Sequence, residues 1–198
     1  MIVLKLFEKE EVMKRYGHIP FVLLFMVIFS GCATTVRNAP VSIDIPGEFK
    51  KNAAITVLIS EIDLKREESV SFGLIGFLFP LKVEVGEMLK SSAANCFNKL
   101  FNEVSIATSG AGNIVSLKIE EFSLSALRGK AHFKLMMTIK NEAGGTIMEN
   151  NYSADGSGHA PIYWSDADQM DQISKTTQEA FQAVFSQIAT DVKAIKFN

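Results

Sequence analysis

Apolar and polar positions change period several times along this chain, and each change predicts a change of element. In AAITVLISEIDL, residues 53–64, Ile55, Val57 and Ile59 alternate with Thr56, Leu58 and Ser60. A period of two sends successive side chains to opposite faces and predicts a β-strand, with Leu58 the exception on its polar face. Val85, Met88, Leu89, Ala93, Cys96, Phe97, Leu100 and Phe101 then recur at spacings of three and four. That spacing draws one apolar stripe down a helix over about 86–103. Ser109-Gly110-Ala111-Gly112-Asn113 reads as a turn, because small and polar residues interrupt both periods. In the next strand Val115, Leu117 and Ile119 oppose Ser116, Lys118 and Glu120. Its phase slips at Glu120-Glu121 and resumes at Phe122 and Leu124, which predicts a β-bulge.

Arg128-Gly129-Lys130 turns the chain into a third strand. There Ala131, Phe133, Leu135, Met137 and Ile139 alternate with His132, Lys134, Met136, Thr138 and Lys140. Ala143-Gly144-Gly145 predicts a hairpin turn, with a fourth strand over about 146–154. A loop from Gly156 to Trp164 leads into a last helix over about 166–194. Its stripe is Met170, Ile173, Thr177, Ala180, Phe181, Val184, Phe185, Ile188 and Val192, with Ser165 and Asp168 as an N-terminal capping pair. The order is β-α-β-β-β-α. Strands with one polar face ask for helices on the other face only. The expected fold is a two-layer α+β sandwich: a mixed four-stranded sheet with two helices on one face, forming a single domain over 53–198. If the first two long strands lie side by side, the crossover between them is expected to be right-handed.

Upstream of this domain the pattern is different. Residues 32–52 mix Thr34, Thr35, Asn38, Pro40 and Pro46 with no sustained period and read as a tether. Before them lies IPFVLLFMVIF, Ile19 to Phe29, an apolar run of 11 residues. A spanning helix needs roughly 20 apolar residues, so this run has the length of a signal-peptide core. Lys14 and Arg15 give it a positive flank, and residues 1–31 are expected to be removed. Glu8, Glu10 and Glu11 are out of place in such a flank, so Met13 is expected to be the natural start.

Phe29-Ser30-Gly31-Cys32 resembles the lipobox of bacterial lipoproteins: an apolar residue, two small residues and the cysteine that is acylated. The resemblance implies cleavage before Cys32, a diacylglycerol on its sulfur and a further acyl chain on the new amino group. One acyl chain anchors only marginally and several hold firmly. Ala33 is not the aspartate that retains such proteins at the inner membrane of enteric bacteria. The periplasmic face of the outer membrane is therefore the expected location. Cys32 being an attachment point, Cys96 is left without an intramolecular disulfide partner and is expected to act as a small hydrophobe in its helix.

Charge narrows the partners. A formal −2 for the whole chain and +1 for residues 1–31 leave −3 for residues 32–198. Nucleic acid calls for a basic footprint, and none is expected to bind here. No catalytic constellation emerges either. His18 leaves with the signal, His132 falls on a polar strand face and His159 lies in a loop. Ser157 lacks the flanks of a nucleophile elbow. Asp166, Asp168 and Asp171 lack the calcium-loop pattern and suit a helix N-terminus without a metal. The expectation is a protein that is not an enzyme and uses no cofactor or metal.

One stretch calls for a partner, internal or external. In VSFGLIGFLFPLKVEVG, residues 70–86, strand-like flanks, the first of them carrying Phe72, enclose Leu74, Ile75, Phe77, Leu78 and Phe79. Full burial of one such side chain is worth roughly 1.5–3 kcal/mol, so they are expected to be covered. They either fold back over their own sheet or meet a lipid, a bilayer or another protein. Tyr163 and Trp164 form a second aromatic surface, or else staple the last helix to the core. A lipidated cysteine, a tether and a β-α-β-β-β-α domain together resemble small envelope lipoproteins. These include YajG-type lipoproteins, auxiliary lipoproteins of ABC transport systems and the lipoprotein that plugs the lipopolysaccharide-assembly barrel. The resemblance lies in element order and carries over no functional residue. It implies a non-enzymatic accessory, bound to the membrane through lipid on Cys32, that engages an envelope protein. The alternative is a periplasmic lipid carrier using residues 72–81.

Overall fold

A computed structural model of the chain describes residues 34–36, 41, 43, 50–70, 81–125, 129–158 and 166–195. Five strands form its main sheet: β2 (Lys51–Ile59), β5 (Phe101–Ala107), β6 (Ile114–Ser125), β7 (Lys130–Lys140) and β8 (Thr146–Ser157), in the order β5-β2-β6-β7-β8. β2 runs parallel to both neighbours, whereas β6, β7 and β8 pair antiparallel. A smaller sheet holds β1 (Thr34–Val36), β4 (Leu81–Val83) and β3 (Glu68–Val70), in that order. The helices are α1 (Glu61–Leu64), α2 (Val85–Leu100) and α3 (Asp166–Ala194).

The class is α+β, as the alternation of periods implied. The strand count was not. Instead of four strands in one sheet, the described residues form five in a mixed sheet and three in a second. The missing strand of the main sheet is β5. Leu100, Phe101 and Val104 continue the helical spacing of three and four, which hides the start of a strand. Phe101 is in fact extended, at φ −131° and ψ 154°, and ends α2. Parallel pairing of Val104 with Ile55 and of Ile106 with Val57 overrides the local pattern. Similarly, the first strand stops at Ile59 rather than running on to Leu64. Ser60 caps α1: its Oγ accepts from the Asp63 amide at 3.1 Å and donates to the Asp63 carboxylate at 2.9 Å.

Register explains the core. Val57 sits beside Val115, Val115 beside Ile139, and Leu135 beside both Ile119 and Tyr152. Each set shares one face of the sheet, and that face is buried together with the stripes of α2 and α3 in one cluster. Leu89, Ala93, Phe97 and Leu100 come from α2; Phe181, Val184, Phe185 and Ile188 come from α3. At its centre Phe133 stacks on Phe181, with centroids 3.9 Å apart and planes 11° apart, and Phe122 packs on both. The expected slip in β6 is present, between Ile119 and Glu121. The expected turns at 109–113 and 143–145 are present too, with φ of +89° at Gly112 and +81° at Gly144.

The segment expected to be a plain tether is partly built into the domain. Thr34–Val36 is a strand, and Val41 and Ile43 are buried in the main core. Lys99 Nζ donates to the Ile43 carbonyl at 2.6 Å, fixing that point against α2.

Candidate functional site

The small sheet is where the expected contact segment is mounted. Glu68 pairs with Val83, Ser69 with Lys82 and Val70 with Leu81, so β3 and β4 are the two arms of a hairpin joined by residues 71–80. On the far side of β4, Thr34 pairs with Leu81, Thr35 with Lys82 and Val36 with Val83. Alternation fixes the faces. Val70, Leu81 and Val83 turn inward and are buried, while Ser69 and Lys82 turn outward. Lys82 Nζ lies 2.8 Å from Glu67 Oε2, and that hydrogen bond together with the carboxylate charge raises the lysine pKa. Both groups are about half exposed, so the pair adds little stability.

One end of this sheet is fastened to the helices. The Gly86 amide donates to the Arg66 carbonyl at 3.0 Å. A Cβ at Gly86 would run into the carbonyl oxygens of Asp63 and Leu64, so glycine is what lets α2 start this close to α1. The opposite end, at Thr34, Leu81 and Val70, is where residues 71–80 and the upstream chain attach.

Of the residues singled out from sequence, Cys32, Phe72, Leu74, Ile75, Phe77, Leu78, Phe79, Tyr163 and Trp164 lie outside the described residues, as does His159. The structure places their neighbours. What sequence reading missed is β1. Its three residues, TTV, carry too short a pattern to reveal a strand, and nothing in them signals pairing with β4, 47 positions away.

Other titratable groups were weighed as sites. His132 Nδ1 lies 2.7 Å from Asp155 Oδ1 on the open face of β7 and β8. Among the described residues no hydroxyl or thiol hydrogen-bonds to this imidazole, so no activated nucleophile is assembled there. Cys96 is fully buried, its Sγ 3.8 Å from the Phe185 carbonyl, and burial pushes its thiol up to about 12. A neutral buried thiol of this kind is inert. Tyr152 donates to Asp191 Oδ2 at 2.9 Å, and Asn150 Nδ2 donates to the same carboxylate at 3.3 Å. Burial, then the hydrogen bond and charge of Asp191, raise the phenol pKa, and this group ties β8 to α3. Among the described residues, no three His, Cys, Asp or Glu side chains gather as metal ligands.

A groove of about 330 Å³ opens between β2, β5 and the turn at 111–113, lined in part by Thr56, Glu103, Ser105 and Asn113. It is open, and its lining is about evenly divided between polar and apolar surface, unlike the enclosed apolar pockets that hold small ligands. Among the described residues no helix is long and apolar enough to cross a membrane.

No family model matches the chain, and no curated protein matches it. Solved structures do. An uncharacterized protein is 7% identical, with a TM-score of 0.47 over 81% of this chain and 99% of that one. PelC of Paraburkholderia phytofirmans, a dodecamer, is 14% identical, with a TM-score of 0.38 over 81% of this chain and 92% of that one. A minor lipoprotein of Acinetobacter baumannii is 13% identical, with a TM-score of 0.38 over 75% of this chain and 92% of that one. At identities and TM-scores this low the likeness assigns neither a family nor a role.

Proposed function

We propose that this chain is a lipoprotein anchored through Cys32 to the periplasmic face of the outer membrane, where its domain serves as a non-enzymatic binding or assembly accessory of an envelope complex. The observation that carries the proposal is the Phe29-Ser30-Gly31-Cys32 sequence behind an 11-residue apolar run, standing immediately ahead of a folded α+β domain. Its contact residues are Phe72, Leu74, Ile75, Phe77, Leu78 and Phe79 on the β3–β4 connection, with Tyr163 and Trp164 ahead of α3. The alternative, a lipid carrier, would use the same apolar segment to line a pocket.

Mass spectrometry of the protein from its native membrane tests the anchor. The expected result is an N-terminal peptide that begins at Cys32 and carries acyl chains, with Cys32→Ser released to the soluble fraction. In-cell photo-crosslinking from a probe at Phe77 tests the role. A discrete protein adduct supports the assembly module, and a lipid adduct shifts the reading to the carrier or to membrane contact. Crosslinks confined to the chain itself would remove residues 72–81 as a site.

A further inference from the structure

The main sheet has two edges, β5 and β8, and the fold treats them differently. An edge strand presents outward N–H and C=O groups with which another chain can pair. On β8 several of these groups are occupied. The Ser157 amide donates to Glu179 Oε2 at 3.3 Å, Gln187 Nε2 donates to the Ser153 carbonyl at 3.4 Å, and the Asn151 amide donates to Asn150 Oδ1 at 2.9 Å. These are alternate positions of the strand, the set that turns away from β7. On β5, by contrast, Asn102, Glu103 and Ser105 are exposed. Among the described residues, the bonds that 102–107 make outside the ladder with β2 run between side chains, Asn102 to Asn52 and Ser105 to Thr56. The sequence of β5, FNEVSIA, holds no lysine or proline, residues that commonly blunt an edge.

We propose that β5 accepts an extended segment of a partner protein as a sixth strand, one whose side chains alternate between apolar and basic. The alternation follows from the two faces of β5. Val104 and Ile106 pair with Ile55 and Val57 and pack half-buried against the core, so apolar side chains of an added strand cover what they leave exposed. Glu103 and Ser105 turn to the open face, where Ser105 meets Thr56. There the groove beside β5 is lined by Glu103 and Glu142 and by no lysine, arginine or histidine. Among the described residues neither carboxylate stands in an ion pair. Paired strands lie about 4.8 Å apart, so a lysine or arginine on the added strand reaches Glu103 and the mouth of the groove. A second copy of this chain fits less well. In the symmetric antiparallel register centred on Val104, the two copies of Glu103 share one face about 7–8 Å apart, and like charges oppose pairing. This surface goes beyond the role proposed above, because it requires neither acylation of Cys32 nor contact through residues 72–81.

The test uses the full-length protein in a non-ionic detergent and a fluorescent heptapeptide of alternating valine and lysine. Two control peptides accompany it, one methylated at every backbone nitrogen and one with glutamate in place of lysine. Fluorescence anisotropy reads binding, and hydrogen exchange followed by mass spectrometry reads where it occurs. The expected result is binding of the lysine peptide alone, with exchange slowed within 102–107 and unchanged in β8. Glu103→Lys is expected to weaken binding about fivefold, since an exposed charge pair is lost and a like charge replaces it. Glu142→Lys serves as the second variant if Glu103→Lys does not fold. No binding, or slowed exchange elsewhere than β5, would overturn the proposal. Equal binding of the methylated peptide would exclude strand pairing, and equal binding of the glutamate peptide would exclude the charge match; either overturns it. A dimer of the protein itself, protected within 102–107, would replace the named occupant by a second copy.

Discussion

At the scale of single residues, the fold depends on places where backbone meets backbone. Gly156 in β8 lies against α3, where a Cβ would collide with the Thr176 carbonyl and come within 3.1 Å of the Ala180 amide. Gly156→Ala is expected to cost about 1–3 kcal/mol in urea unfolding, because neither backbone can yield without moving a whole element. Cys96 makes a different prediction, through pH. The unfolded chain loses the thiol proton near the ordinary value of 9.0, and the folded chain only at about 12. Between those values the unfolded chain binds fewer protons, so stability falls as pH rises through that window. Cys96→Ala is less stable overall but should lose stability less steeply above pH 9.0, as measured by denaturation at a series of pH values.

At the scale of elements, the segment between Cys32 and β2 is the instructive case. Its two prolines and lack of a sustained period read as free chain, yet Val41 and Ile43 are buried in the same core as α2. Isolated apolar residues in an aperiodic stretch reveal nothing about burial until the surface they cover is known. Ile43→Ala is therefore expected to cost about 2–5 kcal/mol in a chemical denaturation curve, as a core truncation does. A true tether residue would change it by a few tenths at most. The misjudged end of α2 has a related cause. Leu100, Phe101 and Val104 satisfy both a helical spacing and a buried parallel edge, and only the pairing with β2 decides between them.

At the scale of the whole molecule, charge and anchoring belong together. Residues 32–198 carry a formal −3, which gives the domain no electrostatic attraction to anionic lipid. Attachment by acyl chains predicts that washing membranes with high salt or alkaline carbonate leaves the protein in the pellet, and that detergent releases it. Release by salt alone would instead indicate an electrostatic association, screened over about 10 Å at 0.1 M.

Sequence by itself determined whatever depends on near neighbours. The strands β2, β6, β7 and β8, the bulge near Glu120 and the long helix α3 follow from periods of two and 3.6, which are local properties of the backbone. The proposed acylation motif at Phe29-Ser30-Gly31-Cys32 is likewise a short contiguous string, which is why sequence alone suggests it. Tertiary structure alone decided β5, β1 and the burial of Val41 and Ile43, because each depends on a surface contributed by a distant part of the chain. The proposed contact residues Phe72, Leu74, Ile75, Phe77, Leu78 and Phe79 stand out in sequence as an apolar run without charge. That their connection springs from the strand end nearest Cys32 was not legible. Register is a relation between strands, and no single strand contains it.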